Sequence, residues 1–246
     1  LVGVPARPGL AAMPAEFSPT KNVLWSSEIG DGVGCPIIVG GRVFVSALGD
    51  PGHIALHAFD ARSGKHLWGK QWDMGDATKV HKTNSLAATT PASDGKRVYF
   101  YHAYVGMVAL DAKDGDIKWH REMPVPYYIF DWGPAMSPVL HKGKVLLVQD
   151  DDLNPAFYAL DARSGKQQKV KRVPGTGNYY SSPVAGDDKI YLIDQKGRLS
   201  VISGRGDWEV LHNVDFGEEA YATPAIVDGR IYLRTTGHLY CFTKAR

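Results

Sequence analysis

Short apolar runs, each introduced by a turn, recur along the chain. The runs are Val43-Phe44-Val45, Val98-Tyr99-Phe100, Val145-Leu146-Leu147, Ile190-Tyr191-Leu192 and Ile231-Tyr232-Leu233. A Gly/Asp turn precedes each one, for example Ser93-Asp94-Gly95-Lys96 or His141-Lys142-Gly143-Lys144. A small residue followed by proline stands before each turn: Cys35-Pro36, Thr90-Pro91, Ser137-Pro138, Ser182-Pro183 and Thr223-Pro224. β-Branched and aromatic runs split by such turns predict hairpins.

A third strand follows in each unit, and in three units it ends in nearly the same string. These are Ala58-Phe59-Asp60-Ala61-Arg62-Ser63-Gly64, Ala109-Leu110-Asp111-Ala112-Lys113-Asp114-Gly115 and Ala159-Leu160-Asp161-Ala162-Arg163-Ser164-Gly165. The Asp positions differ by 51 (111 − 60) and 50 (161 − 111). A period of this length marks an array of similar units. The Asp side chain accepts backbone N–H groups two residues on, and the Gly takes positive φ without steric cost. A tryptophan four residues after a glycine marks the fourth strand: Gly64 to Trp68, Gly115 to Trp119 and Gly204 to Trp208. Its large flat surface suits burial between neighbouring sheets.

The fifth unit stops at Arg246, after its third strand. Asn22-Val23-Leu24-Trp25-Ser26 resembles the fourth strand Lys65-His66-Leu67-Trp68-Gly69. A strand from the head completing the sheet at the tail closes a ring and protects strand edges. The expected fold is therefore all-β: a five-bladed β-propeller of four-stranded antiparallel blades, the last closed by the N-terminal strand. Residues 1–21 form a flexible lead-in. The blades span about 33–73, 85–123, 133–173, 177–217, and 219–246 plus 22–29. The junction of the third and fourth units is irregular. Lys169 stands where the pattern places Trp, and the fourth unit reads Ser200-Val201-Ile202-Ser203-Gly204 without the Asp string.

The Ala-Leu-Asp-Ala-x-x-Gly-x-x-x-Trp strings and Ser-Pro-Val starts resemble the repeat of the pyrroloquinoline-quinone-like propellers. That superfamily includes quinoprotein alcohol dehydrogenases and the propeller lipoprotein of the bacterial outer-membrane assembly machinery. The resemblance covers roughly residues 22–246 and speaks to fold more than activity. It implies an exported, periplasmic bacterial protein, though the chain carries no signal peptide.

A net charge of +2 gives no global pointer to nucleic acid or a membrane surface, and no apolar run reaches transmembrane length. Cys35 and Cys241 lack metal-ligand spacing and read as buried free thiols. Binding residues favour loops held on a rigid scaffold. The turns between first and second and between third and fourth strands are uniformly tight. The blade-to-blade crossings are longer and richer, so the candidate site lies on their face. Its residues are His81, Lys82, Asn84, Tyr128, Asp131, Trp132, Asn178, Tyr179, Tyr180, Glu219 and Tyr221. Aromatic rings among carboxylates and amides suit a protein or peptide partner, or a polar small molecule. Asp150-Asp151-Asp152 reads as a solvated loop, since it lacks the calcium-loop pattern. Glu218 and Glu219 read as a solvated pair.

The expectation is a non-catalytic binding scaffold without cofactor, metal site or nucleic-acid partner, and a homo-oligomer if the ring is incomplete. One alternative is a quinoprotein-type dehydrogenase using pyrroloquinoline quinone and calcium, with Asp131, Trp132 and Asn178 in its roles. The adjacent cysteines of many such enzymes are missing here. Another is a propeller glycosidase using carboxylates such as Asp131 and Glu219. No nucleophile elbow, His-Glu-x-x-His or phosphate loop occurs.

Overall fold

A computed structural model describes residues 14–77, 80–172, 179, 181, 183–205 and 209–244. Within them all regular structure is β, in five antiparallel sheets. The first blade comprises β1 (Ile37–Val39), β2 (Arg42–Leu48), β3 (His53–Asp60) and β4 (His66–Asp73). The second comprises β5 (Ala92–Ser93), β6 (Arg97–His102), β7 (Gly106–Asp111) and β8 (Ile117–Arg121). The third comprises β9 (Val139–His141), β10 (Lys144–Gln149), β11 (Ala156–Asp161) and β12 (Gln167–Arg172). The fourth comprises β13 (Val184–Gly186), β14 (Lys189–Ile193), β15 (Arg198–Ser203) and β16 (Val210–Asp215). The fifth has β17 (Ala225–Val227), β18 (Arg230–Arg234) and β19 (Leu239–Thr243). Each blade is a meander, its strands adjacent in chain order.

The repeated Asp string builds the turn the sequence predicts. Asp161 Oδ1 accepts the backbone N–H of Arg163 at 3.1 Å and of Ser164 at 2.8 Å, and Asp60 does the same for Arg62 and Ser63. These bonds hold both carboxyls below the ordinary aspartate range, the Ser164 and Ser63 hydroxyls contributing most. The following alanine N–H returns to the first hairpin: Ala61 to Gly41, Ala112 to Lys96 and Ala162 to Gly143.

A bulge lies at the same place in each third-to-fourth strand pair of the first four blades. Ala58 faces Trp68 but Phe59 faces His66, and Ala109 faces Trp119 but Leu110 faces Ile117. The extra residue twists the strand and turns the indole towards the next blade. Trp68 Nε1–H donates to the Ala112 carbonyl at 3.3 Å, and Trp119 Nε1–H donates to the Ala162 carbonyl at 3.1 Å. Each ring lies on the glycine of that next blade, Gly115 or Gly165. One apolar cluster then fills the seam between blades one and two, and another that between two and three.

Three expectations are corrected. First, residues 22–29 form no strand, and the fifth sheet has three strands with nothing paired to the outer edge of β19 among the described residues. Trp25 instead fills the indole slot of the first blade. Its Nε1–H donates to the Ala61 carbonyl at 3.2 Å, its ring stacks on Phe59, and it covers Gly64. The segment thus keeps the side-chain role of a fourth strand without the backbone ladder. Strand β17 packs on β13 as β1 does on β5, but β17 and β1 do not pack together in that way. Head and tail share no sheet among the described residues. Second, the residue in register with Trp68 and Trp119 is Lys169 in the third blade and His212 in the fourth. Trp208 falls outside the described residues. Gly204 takes the place of Ala61 rather than of Gly64, three positions earlier, and the chain from Ser203 to Glu209 is one residue longer than its counterpart from Asp60 to Lys65, so the count from the glycine falls four residues short of the register. Third, Cys35 and Cys241 are both exposed free thiols rather than buried ones.

Candidate functional site

The blade-to-blade crossings and the second-to-third strand loops meet on one face. The first and second crossings are tied together there. The His81 ring lies 4.8 Å from that of Trp132, the His81 N–H donates to the Asp131 carbonyl at 2.7 Å, and Asn84 Nδ2 donates to the Trp132 carbonyl at 2.7 Å. Asp131 adopts φ 52°, one of few non-glycine residues in the left-handed region. Lys82 is exposed beside this cluster. The sequence-predicted His81, Asn84, Asp131 and Trp132 thus form one group.

The second crossing also binds the acidic loop of the third blade. Asp151 is buried and caps its own loop, accepting the Leu153 N–H at 2.8 Å and the Asn154 N–H at 2.7 Å. Its second oxygen accepts the Tyr127 N–H, while Asp152 accepts the Ile129 N–H. The loop expected to be solvated is therefore a structural clasp, because its carboxylates replace the sheet partners its backbone lacks. Tyr128 donates its hydroxyl proton to the Asp150 carbonyl at 2.9 Å. Burial pushes the Tyr128 phenol up, with Tyr101 and the Asp150–Asp152 carboxylates adding to it. Burial also pushes the Tyr179 phenol up, with Asp194 and Asp150 contributing.

Asp150 is half-buried, and burial, then Asp152 and Asp151, raise its carboxyl from 3.8 to about 6. Folding therefore disfavours the ionised form. The stability this group contributes is present below its unfolded value and lost as pH rises through about 6. Asp150→Asn is expected to stabilise the protein by about 1–2 kcal/mol near pH 7.5 and to change little near pH 4. Thermal melts of both proteins at the two pH values check this.

The fourth crossing stands apart. Tyr221 donates to Glu219 at 2.8 Å and accepts from Gln195 Nε2 at 3.1 Å. Glu218 is not half of a solvated pair. It accepts from Thr235 Oγ1 at 2.6 Å, the Gly237 N–H at 3.0 Å and His238 Nδ1 at 2.6 Å, in that order of effect holding its carboxyl low. No contact links Glu219 to Asp131 among the described residues. Asn178 and Tyr180 fall outside the described residues. Sequence reasoning missed Asp150 and Gln195, whose roles depend on which loops touch.

The same crossing that carries Tyr128 exposes a run of apolar side chains. Tyr127 is 53% exposed, Ile129 56%, Phe130 72% and Trp132 55%. Adjacent to it, a cavity of about 530 Å³ opens between the third and fourth blades. The quinone-and-calcium alternative asks for converging oxygen donors. Among the described residues no three His, Cys, Asp or Glu groups converge to hold a metal ion. Asp131 is exposed, with its backbone engaged by His81.

A family model described as outer membrane protein assembly factor BamB matches residues 52–246. The chain is 28% identical to the assembly factor of that name from Yersinia pestis, over 88% of this chain and 56% of that one. It is 32% identical to the one from Shewanella oneidensis, over 91% of this chain and 58% of that one. The chain thus spans little more than half the length of these relatives. Among solved structures, quinohemoprotein alcohol dehydrogenase from Comamonas testosteroni superposes with a TM-score of 0.57 at 14% identity, covering 87% of this chain and 41% of that one. That likeness establishes the propeller fold alone.

Proposed function

This chain belongs to the outer membrane protein assembly factor BamB family, and we propose on that premise that it is a non-catalytic propeller scaffold docking a partner protein on its long-loop face. The partner is a component of the outer-membrane protein assembly machinery, met on the periplasmic side. The observation that carries this reading is the exposed row Tyr127, Ile129, Phe130 and Trp132. Contiguous exposed apolar side chains rimmed by polar ones mark interaction surfaces on soluble proteins. Aromatic residues supply most of the energy in such contacts. The row is rigid where it counts. Trp132 rests on His81, and the backbones of Tyr127 and Ile129 are held by Asp151 and Asp152. A shelf already in place pays little ordering entropy on binding. His81, Lys82, Asn84 and Asp131 form its polar rim, Tyr128 and Tyr179 its floor towards the fourth blade. Glu219 and Tyr221 extend the same face one blade further.

The test is the double variant Phe130→Ser, Trp132→Ala. Co-purification with the assembly machinery from cells of the natural host, and the level of folded outer-membrane β-barrel proteins, are the readouts. The variant is expected to fold normally by circular dichroism and to lose about a hundredfold in partner affinity. Co-purification and barrel assembly at the unmodified level would sink the proposal.

A further inference from the structure

The three inter-blade seams with matched geometry differ in what fills them. In register, the second strands contribute Phe44 to the first seam, Tyr99 and Tyr101 to the second, and Leu146 and Val148 to the third. The fourth strands contribute Trp68 to the first seam and Trp119 to the second, and the residue in register with them in the third blade is Lys169. On the second strand aliphatic side chains thus stand where the other two seams have rings, and the cluster of the third seam keeps Phe157 as its ring, while two sheets packed face to face stand about 10 Å apart. Between these blades lies the cavity of about 530 Å³. The tight-turn end of this seam is clamped, because Lys142 and Arg205 both bind Asp188 and hold its carboxyl down to about 2. At the opposite end Tyr128, Tyr179 and Asp150 line the cavity where it meets the long-loop face.

We propose that this seam is a binding site for a small arylalkyl ammonium ion. Its ring lies in the cavity against the lining formed by Leu146, Val148 and Phe157 of one blade and Ile190 and Leu192 of the next, and its ammonium meets the Asp150 carboxylate. The volume falls within the range of small-molecule sites, which are largely apolar with a few placed polar groups. A flat ring is the occupant because rings fill the corresponding space in the other two seams. A cation is the head group because the Asp150 carboxylate has no hydrogen-bond or ion-pair partner among the described residues. The titratable groups around it are Asp151, Asp152, Tyr128 and Tyr179, none of them cationic. A half-buried carboxylate facing an apolar space gains from a bound counter-charge. Tyr128 and Tyr179 border both this cavity and the docking shelf, but Phe130 and Trp132 do not line the cavity, so the two sites can be tested separately.

The experiment is isothermal titration of the whole chain with 2-phenylethylamine, 2-phenylethanol and 3-phenylpropionate near pH 7.5. The amine is expected to bind about tenfold or more tightly than the alcohol, a gap of about 1.4 kcal/mol. The propionate is expected not to bind. Asp150→Asn should bring the amine down to the level of the alcohol. Val148→Tyr, which restores the tyrosine of the second blade at this register position, should abolish binding of both and raise the melting temperature. The amine's affinity should fall as pH is lowered through about 6, where Asp150 takes up a proton. No amine binding, equal binding of amine and propionate, or amine affinity indifferent to Asp150→Asn would each overturn the proposal. If Val148→Tyr fails to fold, the ligand series and Asp150→Asn still decide. The Phe130→Ser, Trp132→Ala protein should keep its amine affinity, which separates this site from the docking shelf.

Discussion

Trp119→Ala is expected to cost about 3–5 kcal/mol of stability, the range for deleting a buried large aromatic side chain. For a chain of this length that lowers the melting temperature by about 10 °C or more. Trp119 is nearly buried, lies 6.0 Å ring to ring from Tyr99, covers Gly165 and satisfies the Ala162 carbonyl. Its loss opens a cavity between two blades and leaves that carbonyl without its indole donor. Trp119→Phe keeps part of the ring and should cost about 1–3 kcal/mol less than alanine. Trp25→Ala makes the same kind of deletion at the end of the array, where the residue is only part-buried. Its effect should be clearly smaller. Denaturant melts of the three variants measure the series. A Trp119→Ala protein within 1 kcal/mol of the unmodified one would show that the indole does not join the blades.

Gly115→Ala is expected to be strongly destabilising. Gly115 has φ 76°, and a Cβ there would sit 2.7 Å from Trp68 Cδ2. The left-handed conformation costs an L-residue about 1–2 kcal/mol, and displacing a packed ring adds about 1–3 kcal/mol. Gly143 is the control. Its φ is 74°, yet nothing lies within 4 Å of a Cβ built on it. Gly143→Ala should therefore show the conformational cost alone. The difference between the two variants isolates the contact of indole on glycine, and equal losses would refute it.

The glycine result explains why the fold was readable. The Asp string, its glycine and the tryptophan four residues later are one local device, repeated with its chemistry intact in the first two blades. Each part acts over a few residues, through backbone N–H groups, positive φ and a bulge, so each leaves a mark in sequence. The hairpins after Gly40-Gly41, Asp94-Gly95 and Lys142-Gly143 are equally local and appear where expected. The end of the array was not local. The resemblance of Asn22–Ser26 to a fourth strand is real at Trp25, whose indole finds its slot, and fails at the backbone, whose partner strand lies elsewhere. A side-chain pattern specifies what a residue packs on, not whether two distant segments meet.

The candidate site divides in the same way. Placing binding residues on the crossings follows from the tight-turn and long-loop asymmetry, and His81, Asn84, Asp131 and Trp132 do come together. The role of Asp150 was invisible, because an aspartate among aspartates reads as solvated until two neighbouring loops fold over it.

The repeat, the hairpins, the Asp–Gly turns and the irregular junction after the third unit are all legible in the order of residues. All of these arise from interactions within one blade. The folded chain alone shows that nothing pairs with the outer edge of β19 among the described residues, that a cavity lies at the irregular junction, and that Asp150 stands at its mouth. Those features are properties of the space between blades. That space is set by side chains some fifty residues apart in the chain, and the volume they fail to fill has no residue of its own to announce it.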